Sequence, residues 1–220
     1  SYRHKTGSIE VRMRGTRLAP DARIKLKAES RPGFLEIDIN RRSISGLQPA
    51  TRYGRDFLTY VMWAVSIDGK ALNLGEITFK GDRPISINVT TPYQTFWLLV
   101  TAEPDYAVAE PSPKVILYSV NRGSRSERDK KKATPIGGDL FFYTHYTDYD
   151  STPGVPESVP NALLQARKAV ELASKSGILA VKRSGGVPVA GAEDRIRKTL
   201  NQARTFLAQA ESTYKRKPKG

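Results

Sequence analysis

The pattern in this sequence that most resembles a metal or acid/base site is one histidine followed by two aspartates. His145 precedes Asp148 and Asp150, and imidazole and carboxylate groups at such short spacing can share an ion or a proton. The other histidine, His4, stands alone near the start of the chain. Three polar residues in a turn-rich segment often occur together by chance, so the pattern favours a surface role. We therefore predict no metal-binding or catalytic residues.

The sequence contains none of the short motifs that mark common enzyme families. It has no H-E-x-x-H, no G-x-S-x-G, no phosphate-binding glycine loop and no dinucleotide fingerprint. It also has no cysteine, which excludes disulfides, thiol catalysis and cysteine-ligated metal. We predict a protein that is not an enzyme and uses no cofactor. Esterase-like or glycosidase-like catalysis is a third, weaker hypothesis, since β-domains host many activities and fold does not determine function.

Positive charge is the most unusual global property of the chain. The net charge is +14, and the isoelectric point is about 10.0. Residues 1–120 carry 17 basic and 12 acidic side chains, and residues 121–138 carry 6 and 2. Residues 139–160 carry 4 acidic side chains and no basic ones, whereas residues 161–220 carry 13 basic and 4 acidic. Most of the excess thus lies after residue 120, and it favours polyanions such as nucleic acid, acidic lipids, acidic glycans or acidic protein surfaces.

Two basic runs and a tyrosine-rich segment supply the candidate contact residues. The run within residues 121–138 lacks hydrophobic periodicity, which favours a solvated loop over a polyanion contact. The tyrosine-rich segment that follows predicts either an added edge strand or an exposed surface that docks on another molecule. The candidate contact residues are Arg122, Arg125, Arg128, Lys130, Lys131, Lys132, Tyr143, Tyr146, Tyr149, Lys215, Arg216 and Lys217.

Alternating apolar residues predict a mainly β fold in residues 1–120. Turn signals separate about eight short strands at a spacing typical of a two-sheet sandwich. The strands are predicted at residues 9–13, 24–28, 35–39, 57–67, 71–80, 84–90, 95–102 and 114–120. The fold class expected is an immunoglobulin-like antiparallel β-sandwich with a C-terminal α-helical hairpin.

The centre of this region is the strand predicted at 57–67. It is apolar on both alternating faces, which predicts a strand covered on both sides. Asp68-Gly69 predicts a tight hairpin with two positive-φ residues, and a phase shift at Gly75-Glu76 predicts a bulge. Trp63 and Trp97 are both expected in the core.

Two helices are predicted in residues 161–220, after a linker at 121–160. The first runs from Ala162 to Ser174, and Gly177 is expected to end it. The second runs from Ala192 to about Tyr214, with acidic residues in its first turn and basic residues in its last. Each has a narrow apolar stripe, so we expect the two to pair antiparallel.

Several segments carry a resemblance to a known family. The segments FLTYVMWAVSIDGKALNLGEI and TPYQTFWLLVTAEPDYAVAEPSPKVILYSV resemble the amino-terminal immunoglobulin-like region of bacterial OmpA-family cell-envelope proteins. The segments ARKAVELA and QARTFLAQAE are similar to the alanine-rich helical segment of that family. The resemblance covers roughly residues 10–120, and it identifies no catalytic residues. Because no OmpA-type domain follows before Gly220, direct binding of peptidoglycan through such a domain is not expected.

The resemblance implies a non-enzymatic structural or interaction protein of the periplasm or cell exterior. Its expected partners are other proteins, including copies of itself, and an acidic glycan or envelope surface. The sequence has no apolar run of about 18 residues, so no membrane span is expected. A start at Ser1 fits either a processed secretory protein or a trimmed chain. The alternative is a module that binds nucleic acid or another polyanion.

Overall fold

The computed structural model describes residues 8–80, 83–84, 87–93, 96–120, 159–183 and 192–216. The chain divides into two compact units, Ser1–Pro156 and Glu157–Gly220. Strands make up the first unit, with short 3-10 turns at Arg41–Ser43 and Ala50–Tyr53. The strands are β1 (Ser8–Gly15), β2 (Arg23–Arg31), β3 (Phe34–Ile39), β4 (Ile44–Ser45), β5 (Thr59–Ser66), β6 (Ala71–Glu76), β7 (Phe79–Lys80), β8 (Arg83–Pro84), β9 (Ile87–Thr91), β10 (Phe96–Glu103) and β11 (Val115–Val120).

Within the described residues, nine strands form one antiparallel sheet. Its order is β6-β5-β10-β11-β1-β2-β3-β9, with β4 added beside β2, and β7 and β8 pair separately. The two edge strands β6 and β9 contact one another, so the sheet curls into a nearly closed, barrel-like shape. The expectation of a mainly antiparallel β fold is confirmed. The two-sheet sandwich is not confirmed, because the strands are hydrogen-bonded along one continuous path.

The concave face of the sheet holds the main hydrophobic core. In β2, the buried Ile24, Leu26 and Ala28 alternate with exposed Arg23 and Lys25, as a half-buried strand requires. Strands β1, β3, β5, β10 and β11 contribute buried residues to the same cluster. The alternation in the sequence therefore predicted correctly which side chains of β2 face inward.

Strand β5 is buried along its whole length, as its doubly apolar pattern predicted. Its even-numbered apolar residues lie in the main core, whereas its odd-numbered ones form a second cluster on the outer face of the sheet with Leu99 of β10. The members on β5 are Tyr60, Met62 and Ala64 on the inner face, and Val61, Trp63 and Val65 on the outer face.

The two tryptophans differ in burial. Trp63 is 0% exposed, as expected, and its indole Nε1 donates a hydrogen bond of 2.8 Å to Thr101 Oγ1. Trp97 is only partly buried. Trp97 pairs with Val65 near the start of β10. The residues that cover the outer face follow the opposite end of that strand, so they lie far from Trp97. Trp97 is thus mostly buried, as expected, but less completely than Trp63.

The β5–β6 hairpin differs from the expected two-residue turn. Ser66 N donates to Lys70 O and Gly69 N donates to Ser66 O, which leaves a three-residue loop. Gly69 has a φ of 85°, whereas Asp68 does not adopt a positive φ. The expected bulge is present, since the register shifts opposite Met62 and Trp63 beside Gly75, whose φ is 120°.

The second unit contains helices α1 (Asn161–Arg183) and α2 (Ala192–Arg216). They run antiparallel, because Arg167 Nε lies 2.7 Å from Glu211 Oε1 and Arg204 Nη2 lies 3.1 Å from Ser174 Oγ. Helix α1 continues through Gly177, so the expectation that this glycine ends the helix is wrong. Neither described helix is both long enough and apolar enough to cross a membrane.

Replacement of Trp63 by alanine should destabilise the β unit far more than the same change at Trp97. Loss of a fully buried indole and its hydrogen bond should lower the free energy of unfolding by about 3–5 kcal/mol. The partly exposed Trp97 should cost less than half as much. Chemical denaturation of both variants measures the difference, and equal losses would contradict the assignment of Trp63 to a closed second core.

Candidate functional site

Two of the candidate contact residues predicted from the sequence lie in the described part of the chain. Lys215 and Arg216 occupy the last turn of α2, and both are exposed. There they face the negative end of the helix dipole, which their positive charges stabilise. The others lie outside the described residues, as do the histidine and aspartates considered for a metal site: Arg122, Arg125, Arg128, Lys130, Lys131, Lys132, Tyr143, Tyr146, Tyr149, Lys217, His145, Asp148 and Asp150.

One outward side of α2 combines positive charge with a large apolar side chain. Phe206 is 69% exposed. Helical spacing places three exposed basic residues on the same side, away from the residues that pack on α1. We call this set the α2 surface, and its residues are Arg195, Lys198, Phe206 and Arg216.

One side of α2 packs on α1, and the rest of the helix faces outward. Leu200, Ala203 and Leu207 are half-buried on the packed side, at the spacing expected of a single helix contact. Arg197 pairs with Asp194 at 3.2 Å, but both side chains are largely exposed, so this pair contributes little to stability. The α2 surface can therefore offer a cationic and aromatic face without disrupting the helix pair.

A second polar site lies inside the β unit, on the outer face of the sheet. The hydroxyl of Thr101 accepts a hydrogen bond from Trp63 Nε1 and donates one to Glu103 Oε1. The backbone N–H of Ser112 donates to the same carboxyl oxygen at 2.6 Å. Glu103 is 0% exposed, and its other oxygen, Oε2, has no hydrogen-bond partner among the described residues. Such an orphaned buried oxygen destabilises a fold, and the cost is greater when the group is charged.

Residues 104–114 lie over Glu103, and we call them the cover segment. The cover segment leaves the end of β10 and returns to β11 across the outer face. Ser112 Oγ donates to Ala102 O at 2.7 Å, and the side-chain amide of Asn73 donates to the carbonyl oxygens of Tyr106 and Val108 at 2.9 Å each. Hydrogen bonds to β10 and from β6 thus hold the cover segment above Trp63.

Burial governs the protonation of the carboxyl groups at this corner of the sheet. It raises the pKa of Glu103 to about 8, against the opposing hydrogen bonds from Ser112 and Thr101. Burial also raises the pKa of Asp105, and the negative charge of Glu76 adds to that increase. Glu103 is therefore mostly neutral at pH 7. Because no part of it is exposed, it can hold the cover segment but cannot reach a substrate.

Sequence reasoning missed the role of Glu103, although a signal was present. Leu99, Thr101 and Glu103 share the parity that faces the outer side of β10, so a carboxyl group continues a buried face. The segment TAEPDYAVAEPSPK was interpreted only as part of a resemblance. Asn73 was overlooked as well, because nothing local predicts that its amide binds residues more than 30 positions away.

The described residues contain no group of three or more histidine, aspartate or glutamate side chains that could hold a metal ion. The chain matches no family model, and neither a curated protein nor a solved structure is significantly similar to it. The α2 surface and the covered carboxyl group of Glu103 are therefore the two candidate sites.

The stability of the protein should fall as the pH rises from about 5 to 9. The pKa of Glu103 is about 8 in the folded state against an ordinary value of 4.5, so the folded chain keeps a proton that the unfolded chain releases. The stabilising effect is complete below pH 4.5 and is lost as the pH rises through 8. We expect a loss on the order of 3 kcal/mol in the free energy of unfolding, measured by urea denaturation.

Glu103→Gln should remove most of that pH dependence, because the amide keeps the acceptor and does not ionise. Glu110→Gln, on the exposed part of the cover segment, is the matched control and should leave the slope unchanged. Equal slopes for the wild type and Glu103→Gln between pH 5 and 9 would show that Glu103 is not the titrating group.

Proposed function

We propose that this protein is a non-enzymatic interaction protein of the bacterial cell envelope or cell exterior that docks through its α2 surface onto an acidic protein partner. The resemblance of residues 10–120 to envelope proteins supports the location. The α2 surface supports the mode of action. A compact β unit and a helix pair with an outward face suit a protein that holds contacts rather than one that transforms a substrate.

The observation that carries this proposal is the exposure of Phe206 on a basic helix. A phenylalanine side chain that is 69% exposed leaves a large apolar area in water. Single exposed apolar residues are common, but Phe206 lies on the same side of α2 as the exposed Arg195, Lys198 and Arg216. Aromatic and arginine side chains are the residues that most often dominate binding energy at protein interfaces.

Charge indicates the chemistry of the partner. Residues 161–220 carry 13 basic and only 4 acidic side chains, and the basic residues of α2 are exposed. An acidic patch would be attracted over the Debye length and would orient before contact. Copies of this chain are weaker candidates, since two α2 surfaces would repel one another. Self-assembly would require acidic residues of one copy to meet the basic helix of another.

We also propose that the β unit belongs to the immunoglobulin-like class. Its support is the resemblance together with strands that enclose a single core from facing halves of one curled sheet. In such a fold, inward residues alternate with outward polar ones along each strand, as they do in β2. The continuous hydrogen bonding through β11 and β1 would then join two layers that lie apart in other members of the class.

A photoreactive amino acid at position 206 tests the docking surface in the intact protein. In cells, irradiation should join position 206 to an acidic envelope protein. The matched control is the same photoreactive group at position 208, because Ala208 is also exposed but lies on another side of α2. Equal crosslinking at both positions would contradict the proposal, as would a cytoplasmic location in cell fractionation.

Phe206→Ala should weaken binding to the crosslinked partner by at least tenfold, since truncation of a central aromatic residue commonly costs 2 kcal/mol or more. The same change should alter the free energy of unfolding by less than about 0.5 kcal/mol, because the side chain is mostly exposed. Titration calorimetry and urea denaturation measure the two effects. A variant that lost stability and affinity together would assign Phe206 to the helix pair instead.

Binding of nucleic acid or another polyanion is the second candidate, and exposed Lys215 and Arg216 at the end of α2 favour it. Phosphate binding releases counterions, so affinity must fall steeply as salt rises. Fluorescence anisotropy with a short DNA duplex and a single strand, from 50 to 300 mM salt, measures this slope. Under this alternative, the charge-reversal pair Lys215→Glu and Arg216→Glu should reduce the slope, whereas Phe206→Ala should leave it unchanged.

A further inference from the structure

Hydrogen bonds attach the cover segment to the sheet, and one of them reaches the carboxyl group of Glu103. Ser112 binds Glu103 through its backbone N–H and binds Ala102 O through its hydroxyl. The second attachment is the amide of Asn73, which holds two carbonyl oxygens of the segment. One anchor therefore depends directly on the state of Glu103, and the other does not.

Apolar contact holds the two ends of the cover segment, where Pro104 and Pro111 are buried. Between them, Val108 is the side chain that the segment adds to the outer cluster around Trp63, and it is only partly buried. Tyr106, Ala107, Ala109 and Glu110 are exposed. This middle part can leave the sheet at a small cost in buried apolar area, whereas the strands beneath it cannot separate without breaking the main core.

An ionised Glu103 is only half satisfied in the closed arrangement. Its Oε1 already accepts bonds from Thr101 and Ser112, and Oε2 faces no donor among the described residues. A buried anion with an unsatisfied oxygen must find either a donor or water. Strands β5 and β10 are fixed by a continuous ladder from Thr59 to Ser66, so the cover segment is the part that can move.

Other charged groups lie around this corner. Asp105 follows on the same strand end, and Glu76 of β6 accepts a hydrogen bond from Thr59, the residue paired with Glu103. On the cover segment itself, Glu110 is exposed, and the ammonium of Lys114 lies 6.0 Å from the centre of the Phe57 ring. Tyr118 of β11 borders the outer cluster. Burial is what raises the pKa of Glu103, whereas the negative charge of Glu76 acts on Asp105.

We propose that the cover segment is a pH-released lid, closed over Trp63 while Glu103 carries a proton and lifted from the sheet when Glu103 ionises. Deprotonation replaces a neutral acid by a carboxylate, and water reaches that carboxylate once Ser112 moves away. The raised pKa of Glu103, about 8, sets the range in which the lid opens. Opening leaves the strand ladder intact and brings Trp63, Val61 and Leu99 towards solvent.

Trp63 is a built-in reporter of lid opening. In the full chain with Trp97→Phe, Trp63 is the only tryptophan, and acrylamide quenching measures its access to solvent. Between pH 6 and pH 9.5 the quenching constant should rise at least threefold, with a midpoint near 8 and an unchanged far-ultraviolet circular dichroism spectrum. Constant quenching over this range would overturn the proposal. Loss of the β signal at the same midpoint would do so too, because it would show global unfolding.

Two variants separate the lid from other causes. Glu103→Gln should keep the lid closed at every pH, so that quenching stays at its pH 6 value. Asn73→Ala removes the second attachment and should lower the midpoint of opening by about one pH unit, because a weaker lid lets Glu103 ionise sooner. An unchanged transition in Glu103→Gln, or an unchanged midpoint in Asn73→Ala, would contradict the proposal.

Hydrogen exchange on the unaltered chain gives an independent measurement. Protection of the Ser112 amide should fall at least tenfold more than that of the Val61 amide between pH 6 and 9.5, after correction for the intrinsic pH dependence of exchange. Equal loss at both amides would show that the sheet opens as a whole and would refute a local lid.

Discussion

Burial of β5 on both faces is the constraint on which the β unit depends. A sheet strand normally keeps one face for the core and leaves the other to solvent, but every residue of β5 is buried. The inner face is covered by the curled sheet itself. The outer face, with Trp63 at its centre, requires a second layer, and no further strand or helix of the described β unit provides one. The cover segment lies over this face and packs Val108 on the outer cluster.

Covering a sheet with a loop creates a problem of polar groups. The backbone of a loop has no regular ladder, so its N–H and carbonyl groups must find other partners if they are buried. Here the partners are side chains placed on the sheet, namely Asn73, Glu103 and the hydroxyl of Ser112. The buried carboxyl group is thus a consequence of the double burial of β5, and its altered protonation follows from the same cause.

Much of the fold could be predicted from local patterns, because alternation in strands is itself local. The inward residues of β2, the double burial of β5 and the bulge at Gly75 followed from periods and glycine placement. The hairpin at Asp68 was predicted correctly, but its two-residue turn was wrong, because the dipeptide alone does not fix loop length. Closure of the sheet into one curled layer depends on the pairing of β1 with β11, about 100 residues away, which no local pattern encodes.

The candidate sites show the same division between local and long-range information. Helical spacing and the basic final turn predicted some of the outward residues of α2. Ile196 and Tyr214, however, were expected to be covered on the packed stripe, and both are exposed. Pairing of α2 with α1 covers only the middle of that stripe, from Leu200 to Leu207, because a narrow contact buries few turns. Both sites thus depend on how far a neighbouring element extends. That length is a property of the whole fold.

Glutamate at position 103, rather than an apolar residue or glutamine, supports a titratable lid. An apolar residue there would leave the N–H of Ser112 and the hydroxyl of Thr101 without an acceptor, so a polar side chain is required. Glutamine would supply the same acceptor in the same volume and would stay neutral at every pH. Glutamate supplies the acceptor in either protonation state, but its ionised form is buried with one oxygen unsatisfied, which costs stability above its pKa. A carboxyl group adds nothing to the closed state that an amide lacks. What it adds is the ability to open.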